Sequence, residues 1–194
     1  MFYRFARAFC RFLLFALRRW QVSGKENVPP DGGLIVASNH VSYWDPVAVG
    51  CALPRKVFFM AKAELFALPV LGPAISSLGA FPVYRSGSDA RAIKKALALL
   101  RRGQVVGIFP EGTRSHTGQL LPPHVGAAML ALHGRVPVLP VALIGTRGVF
   151  GRVKVVIGRP LEFSGAGAEK SKEQYQTVAA AIMREIASLM DKER

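Results

Sequence analysis

Read for its alternation of apolar and polar positions, the chain divides into short apolar runs bounded by turn formers and longer stretches with helical spacing. Gly33-Leu34-Ile35-Val36-Ala37 is an unbroken apolar run, which predicts a strand buried on both faces. Further runs predict strands over 57–61, 79–84, 105–109, 136–144 and 154–157, the last as an edge strand. Asp45 followed by Pro46 predicts a helix start, with Asp45 as the N-cap. The stretch from Glu64 to Leu78 has a helical pattern interrupted by Pro69 and by Gly72-Pro73. A helix is predicted from about 89 to 102, capped by Ser88 and stopped at Gly103, with Ile93, Ala96, Leu97 and Leu100 on one face. A short helix follows over 126–133. An amphipathic helix over 174–190 carries Val178, Ile182, Ile186 and Leu189 on one side. Strands alternating with helices predict an α/β fold: one domain, with a mixed, mostly parallel sheet surrounded by helices.

The first twenty residues follow another pattern. They hold five arginines and no acid, and at about 100° per residue Arg4, Arg7, Arg11 and Arg18 fall within about 60° of one another, opposite phenylalanine, leucine and tryptophan. That is the pattern of an amphipathic helix lying in a membrane interface, its apolar side in the acyl boundary and its guanidinium groups on anionic headgroups. Residues 1–20 are therefore expected to form a basic interfacial helix. Residues 21–32, with Pro29-Pro30, read as a polar linker, and 33–194 as the folded domain. Ser164 to Ala168 reads as a second, small-residue linker within it.

Composition supports this division. A chain of 194 residues at 51% hydrophobic is long enough for one well-buried α/β domain and too short for two ordinary ones. Its formal net charge of +14, from 26 basic against 12 acidic side chains, calls for an anionic partner. No motif that reads DNA or RNA occurs, and the early arginines sit among aromatics, so a membrane surface fits better than nucleic acid. Cys10 and Cys51 make no disulfide framework, which suits a reducing compartment. The apolar run Phe12 to Leu17 is far below the roughly 18 residues of a spanning helix.

The chemistry centres on Ser38-Asn39-His40-Val41-Ser42-Tyr43-Trp44-Asp45. His40 falls at the carboxyl end of the first central strand, where open α/β sheets place their ligands. A tight turn would fold the Asp45 carboxylate onto the imidazole, fixing its tautomer and stabilising the imidazolium formed when it takes a proton. No G-x-S-x-G elbow is present, and Ser42 lacks flanking glycines, so a serine nucleophile is not expected. Deprotonation of a substrate hydroxyl is the simplest chemistry left to the pair. His116, His124 and His133 have no metal-ligand spacing, and no phosphate loop ending in Gly-Lys-Ser/Thr occurs; neither a metal nor a nucleotide cofactor is expected.

Three later segments stand in order behind this one: Gly79-Ala80-Phe81-Pro82-Val83-Tyr84-Arg85, Phe109-Pro110-Glu111-Gly112-Thr113-Arg114-Ser115, and Val136-Pro137-Val138-Leu139-Pro140-Val141. Together the four resemble the ordered blocks of the glycerophospholipid acyltransferases, most closely the bacterial lysophosphatidate acyltransferases. The resemblance implies transfer of a fatty acyl chain from an acyl thioester, acyl-CoA or acyl carrier protein, to the free sn-2 hydroxyl of lysophosphatidate, forming phosphatidate. His40 would be the general base and Asp45 its orienting partner. Lys62, Arg85, Glu111, Gly112, Thr113 and Arg114 would bind the acceptor, with Lys62, Arg85 and Arg114 at three strand ends converging on its phosphate. The Val136–Val141 block would pack near the acyl path. No cofactor is implied beyond the thioester co-substrate, and the expected setting is peripheral or monotopic, on the cytoplasmic face of the cell membrane. One departure is His124, where members often carry lysine. The competing readings are acylation of another lysolipid and a basic membrane-binding protein without catalysis.

Overall fold

The computed structural model describes residues 2–84, 89–148, 150–163 and 171–193. Arg85, Ser88 and the expected 164–168 linker lie outside the described residues.

A seven-stranded sheet organises the chain. Its strands are β1 (Gln21–Ser23), β2 (Leu34–Ser38), β3 (Val57–Lys62), β4 (Phe81–Val83), β5 (Val105–Ile108), β6 (Val138–Ile144) and β7 (Lys154–Ile157), in the order β1-β7-β6-β2-β5-β3-β4. Every neighbouring pair is parallel except β6–β7. Successive side chains point to opposite faces, so each strand feeds two cores. Ile35, Ala37, Val106 and Val138 pack on one side with Ala96 and Leu100 of helix α4 (Ala90–Arg101), Leu130 of α5 (Gly126–Gly134) and Ile182 and Ile186 of α6 (Lys172–Asp191). Leu34, Val36, Leu139 and Val141 pack on the other with Ala48, Val49 and Ala52 of α2 (Asp45–Ala52). The Val138–Val141 segment thus fills the middle of the sheet.

Several boundaries depart from the sequence reading. The 21–32 segment is pinned rather than a plain linker: β1 pairs with β7, a 3-10 turn spans Lys25–Asn27, and Arg55 donates to the carbonyls of Pro29, Asp31 and Gly32. Consequently β7 is not an edge strand, because β1 lies outside it. Helix α4 is capped by Asp89, whose carboxylate accepts from the amides of Arg91 and Ala92. The broken 64–78 stretch resolves into a 3-10 helix over Ala63–Ala67 and a short helix α3 (Leu71–Leu78).

The first helix, α1 (Phe2–Arg18), forms with its apolar side outward, but its arginine stripe meets the protein body rather than standing free for headgroups. Three of its arginines turn inward, while Arg4 stays exposed: Arg7 donates to the carbonyls of Leu53 and Pro54, Arg11 to Cys51 at 2.9 Å, and buried Arg18 to Gly145 and Gly148, each at 2.7 Å, and to Arg147. The physical reason is at the end of α2, where the last carbonyls have no intrahelical donor and the helix dipole favours cations. Phenylalanines face out, with Phe5 72%, Phe12 65% and Phe15 73% exposed. Helix α3 lies against α1, and Leu68, Val70 and Leu71 at its start are also exposed. Among the described residues, no helix is long and apolar enough to cross a membrane.

Candidate active site

Five parallel strands, β6, β2, β5, β3 and β4, end on one edge of the sheet, and the loops that leave them carry the expected site residues. The loop after β2 is fixed first. Buried Asn39 spans to β6 by two bonds, its amide donating to the Leu143 carbonyl at 2.9 Å and its oxygen accepting from the Leu143 amide at 2.7 Å. A side chain here completes what would be backbone pairing, so the strand end cannot fray.

His40 follows and is held on four sides. Its backbone N–H donates to Glu111 Oε1 at 2.7 Å, and its carbonyl accepts from the Ser115 amide at 2.7 Å. Its Nδ1 lies 2.8 Å from Asp45 Oδ2. Its ring stacks on Phe109, centroids 4.0 Å apart and planes 17° from parallel. Phe109 is backed by Phe59 at 5.9 Å, and Phe59 in turn lies across Gly107, where a Cβ would stand 2.4 Å from its ring. The small residue in β5 is thus what lets the aromatic stack lie flat against the sheet.

Asp45 is fully buried and occupies the first turn of α2 rather than the cap, which falls on Trp44. Its Oδ2 is committed to the loop ahead of it, accepting from Val41 N at 2.6 Å and Ser42 N at 2.7 Å as well as from the imidazole. A carboxylate can only accept, so Nδ1 carries the proton and Nε2 is left as the basic nitrogen. Ser42 Oγ accepts from the Trp44 amide, a structural duty. The Cys51 thiol is pushed up to about 11, by burial first and then by neighbouring Cys10, which removes it as a thiolate nucleophile.

The loop after β5 was expected to bind the acceptor through four residues. Glu111 does something else. Buried, it gives Oε1 to the His40 amide and Oε2 to the Leu121 amide at 2.9 Å, so it staples the histidine loop instead of facing a substrate. Burial pushes its carboxyl above the ordinary value, against the pull of those two amides. Gly112 adopts φ +66°, closing a turn onto the Phe109 carbonyl, and the His124 ring occupies the space a Cβ would need. Thr113 is exposed at the loop tip. Arg114 lies over the Tyr43 ring, its Cζ 3.6 Å from the centroid, and donates to the Tyr43 hydroxyl at 2.8 Å. Lys62 ends β3 on the same edge and pairs with Glu64 at 3.2 Å, both well exposed. The structure therefore brings together His40, Asp45, Glu111, Gly112 and Arg114, and leaves Lys62 in an ion pair two strands from β2.

Sequence reasoning missed the roles of Asn39, Tyr43, Phe109 and Arg147. Arg147 leaves the loop after β6 and donates to the Ser115 carbonyl at 2.7 Å, while the carbonyls of Gly145, Arg147 and Gly148 in that loop receive Arg18. A continuous set of bonds thus runs from the last turn of α1 through the 145–148 loop and Ser115 to the His40 carbonyl. Tyr43 and Phe109 stand inside the quoted segments, but nothing in the pattern tells a working ring from a packing one. Among the described residues, no group of three His, Cys, Asp or Glu side chains could hold a metal ion.

With this geometry in place, comparison with known proteins gives a consistent result. A family described as Acyltransferase matches residues 19–144. The chain is 33% identical over 196 residues to the 1-acyl-sn-glycerol-3-phosphate acyltransferase of Bacillus subtilis (strain 168), covering 98% of both chains. It is 31% identical to the protein of the same name from Streptococcus pneumoniae, covering 97% of this chain and 73% of that one. The crystal structure of PlsC, the 1-acyl-sn-glycerophosphate acyltransferase of Thermotoga maritima, superposes with a TM-score of 0.78 at 29% identity, covering 97% of this chain and 79% of that one.

Proposed function

The chain belongs to the acyltransferase family, and from that premise we propose that it moves a fatty acyl chain from an acyl thioester to the free sn-2 hydroxyl of lysophosphatidate, forming phosphatidate. The names of its relatives support the acceptor. The observation that carries the mechanism is the 2.8 Å contact between His40 Nδ1 and Asp45 Oδ2 at the end of β2. His40 Nε2 takes the hydroxyl proton as the oxygen attacks the thioester carbonyl. The tetrahedral intermediate collapses with cleavage of the C–S bond, and Nε2 returns its proton to the departing thiolate. The imidazolium formed between these steps is stabilised by Asp45. Arg114 grips the acceptor's phosphate, and acyl-CoA or acyl carrier protein serves as donor. The assay mixes purified protein with an oleoyl thioester and lysophosphatidate; thiol and phosphatidate are expected in equal amounts. Acylation of other lysolipids with lysophosphatidate left unreacted would overturn the acceptor assignment.

The protein works from an anionic membrane surface, on its cytoplasmic face, with α1 as the docking element. The inward roll of the arginines moves the binding energy from charge to the phenylalanine face, each ring worth about 1.5–3 kcal/mol when fully buried. Exposed Leu68, Val70 and Leu71 beside it widen the strip. Joint replacement of Phe9 and Phe12 by Ser is expected to lower sedimentation with phosphatidylglycerol vesicles at least about tenfold, from loss of those two burials. The thermal midpoint should hold, since both rings already face water. Unchanged vesicle binding would remove α1 from this role.

A further inference from the structure

We propose that Tyr43 is a positioning residue for the acceptor: it holds the Arg114 guanidinium in place and aimed before the lysolipid phosphate arrives. The inference rests on the reading of Arg114 as the phosphate clamp.

Tyr43 sits between His40 and Asp45, in a loop already fastened without it. Asp45 holds the Val41 and Ser42 amides, and Ser42 Oγ holds the Trp44 amide. Its ring is 73% exposed and adds nothing to either core. What it does touch is Arg114, by two contacts: the guanidinium carbon 3.6 Å from the ring centroid and the hydroxyl bond at 2.8 Å.

Arg114 is otherwise unspent. Among the described residues it pairs with no carboxylate. Its backbone neighbours are tied to the base, Glu111 through the His40 amide and Ser115 through the His40 carbonyl. A long side chain on such an anchor would sweep many rotamers, and binding a phosphate would have to freeze them. The ring removes that freedom in advance. Held over the ring and tied to its hydroxyl, the guanidinium is fixed in direction, and only one of its N–H donors is used by that bond. The remaining edge is free for bidentate contact with phosphate oxygens. Because Tyr43 and the base share one short loop, phosphate and hydroxyl of the same acceptor are registered against a single rigid segment.

The test is steady-state kinetics on the full chain with an oleoyl thioester and lysophosphatidate, for wild type, Tyr43→Phe, Tyr43→Leu, Arg114→Ala and the double variant Tyr43→Leu/Arg114→Ala. Tyr43→Leu is expected to raise the acceptor KM about two- to tenfold, a loss falling on that constant rather than on kcat or the donor KM. Tyr43→Phe, which keeps the stack, should raise it less. In the Arg114→Ala background Tyr43→Leu should add nothing. Equal rises in donor and acceptor KM, or additive effects in the double variant, would mark Tyr43 as merely structural and overturn the inference while leaving the function standing. If wild type acylates only phosphate-free lysolipids, the acceptor reading fails and takes the inference with it.

Discussion

Replacing His40 by Ala is expected to lower kcat for acyl transfer about 10²–10⁴-fold, the usual worth of a positioned general base. The expectation comes from what the structure leaves free. Nδ1 is engaged by Asp45, the backbone N–H by Glu111 and the carbonyl by Ser115, so only Nε2 remains for chemistry. Among the alternatives, Ser42 Oγ is occupied by an amide and Cys51 is held protonated. Removing the ring also unstacks Phe109, so a His40→Gln variant, which refills most of the space, separates lost packing from lost proton transfer. Both variants should fail in turnover while the Gln form keeps an unfolding midpoint near wild type. Rates within about twofold of wild type in either variant would exclude His40 as the base.

Asp45→Asn is expected to be damaging twice over, lowering kcat at least about 10²-fold and stability by about 1–3 kcal/mol. Oδ2 accepts three bonds, while Oδ1 is buried with no partner of its own. An amide fits neither orientation. With its oxygen at the Oδ2 position, the NH₂ group takes the buried Oδ1 place, where the native atom makes no hydrogen bond. With its nitrogen there, two backbone N–H groups and the imidazole confront a donor, and the imidazole must flip its tautomer, placing the proton on the nitrogen that should be basic. In both cases the charge that stabilises the imidazolium is gone. Urea denaturation and initial rates check the two effects separately. A variant with the wild-type midpoint and rate would show that the buried carboxylate is neither staple nor orienter.

Much of this was legible in the sequence because it depends on local pattern. The unbroken run at 34–37 marks a strand with core on both sides, and the helical spacing of Val178, Ile182 and Ile186 marks the face that α6 buries. The pairing of His40 with Asp45 was legible because five residues of turn suffice to make it. What escaped depends on partners far along the chain. Periodicity gives α1 two stripes but cannot say which one turns inward; the carbonyls at the end of α2 and in the 145–148 loop decide it. Gln21-Val22-Ser23 has no strand signature of its own and is a strand only because β7 offers an edge. Glu111 is expected on the substrate from sequence because it shares a segment with residues the resemblance assigns to the acceptor. Its two oxygens are claimed by amides of His40 and Leu121, one of them seventy-one residues away.

The guanidinium of Arg18 is shared property. It belongs to the helix with the outward phenylalanine face, yet its donors close the 145–148 loop, whose Arg147 holds the Ser115 carbonyl beside His40. Trimming the chain back past this residue therefore dismantles the support of the His40 loop along with the outward phenylalanine face, and the two losses arrive together. Surface and chemistry are separable only by changes confined to the outer face of α1, where a ring can be exchanged without touching a single carbonyl of the body.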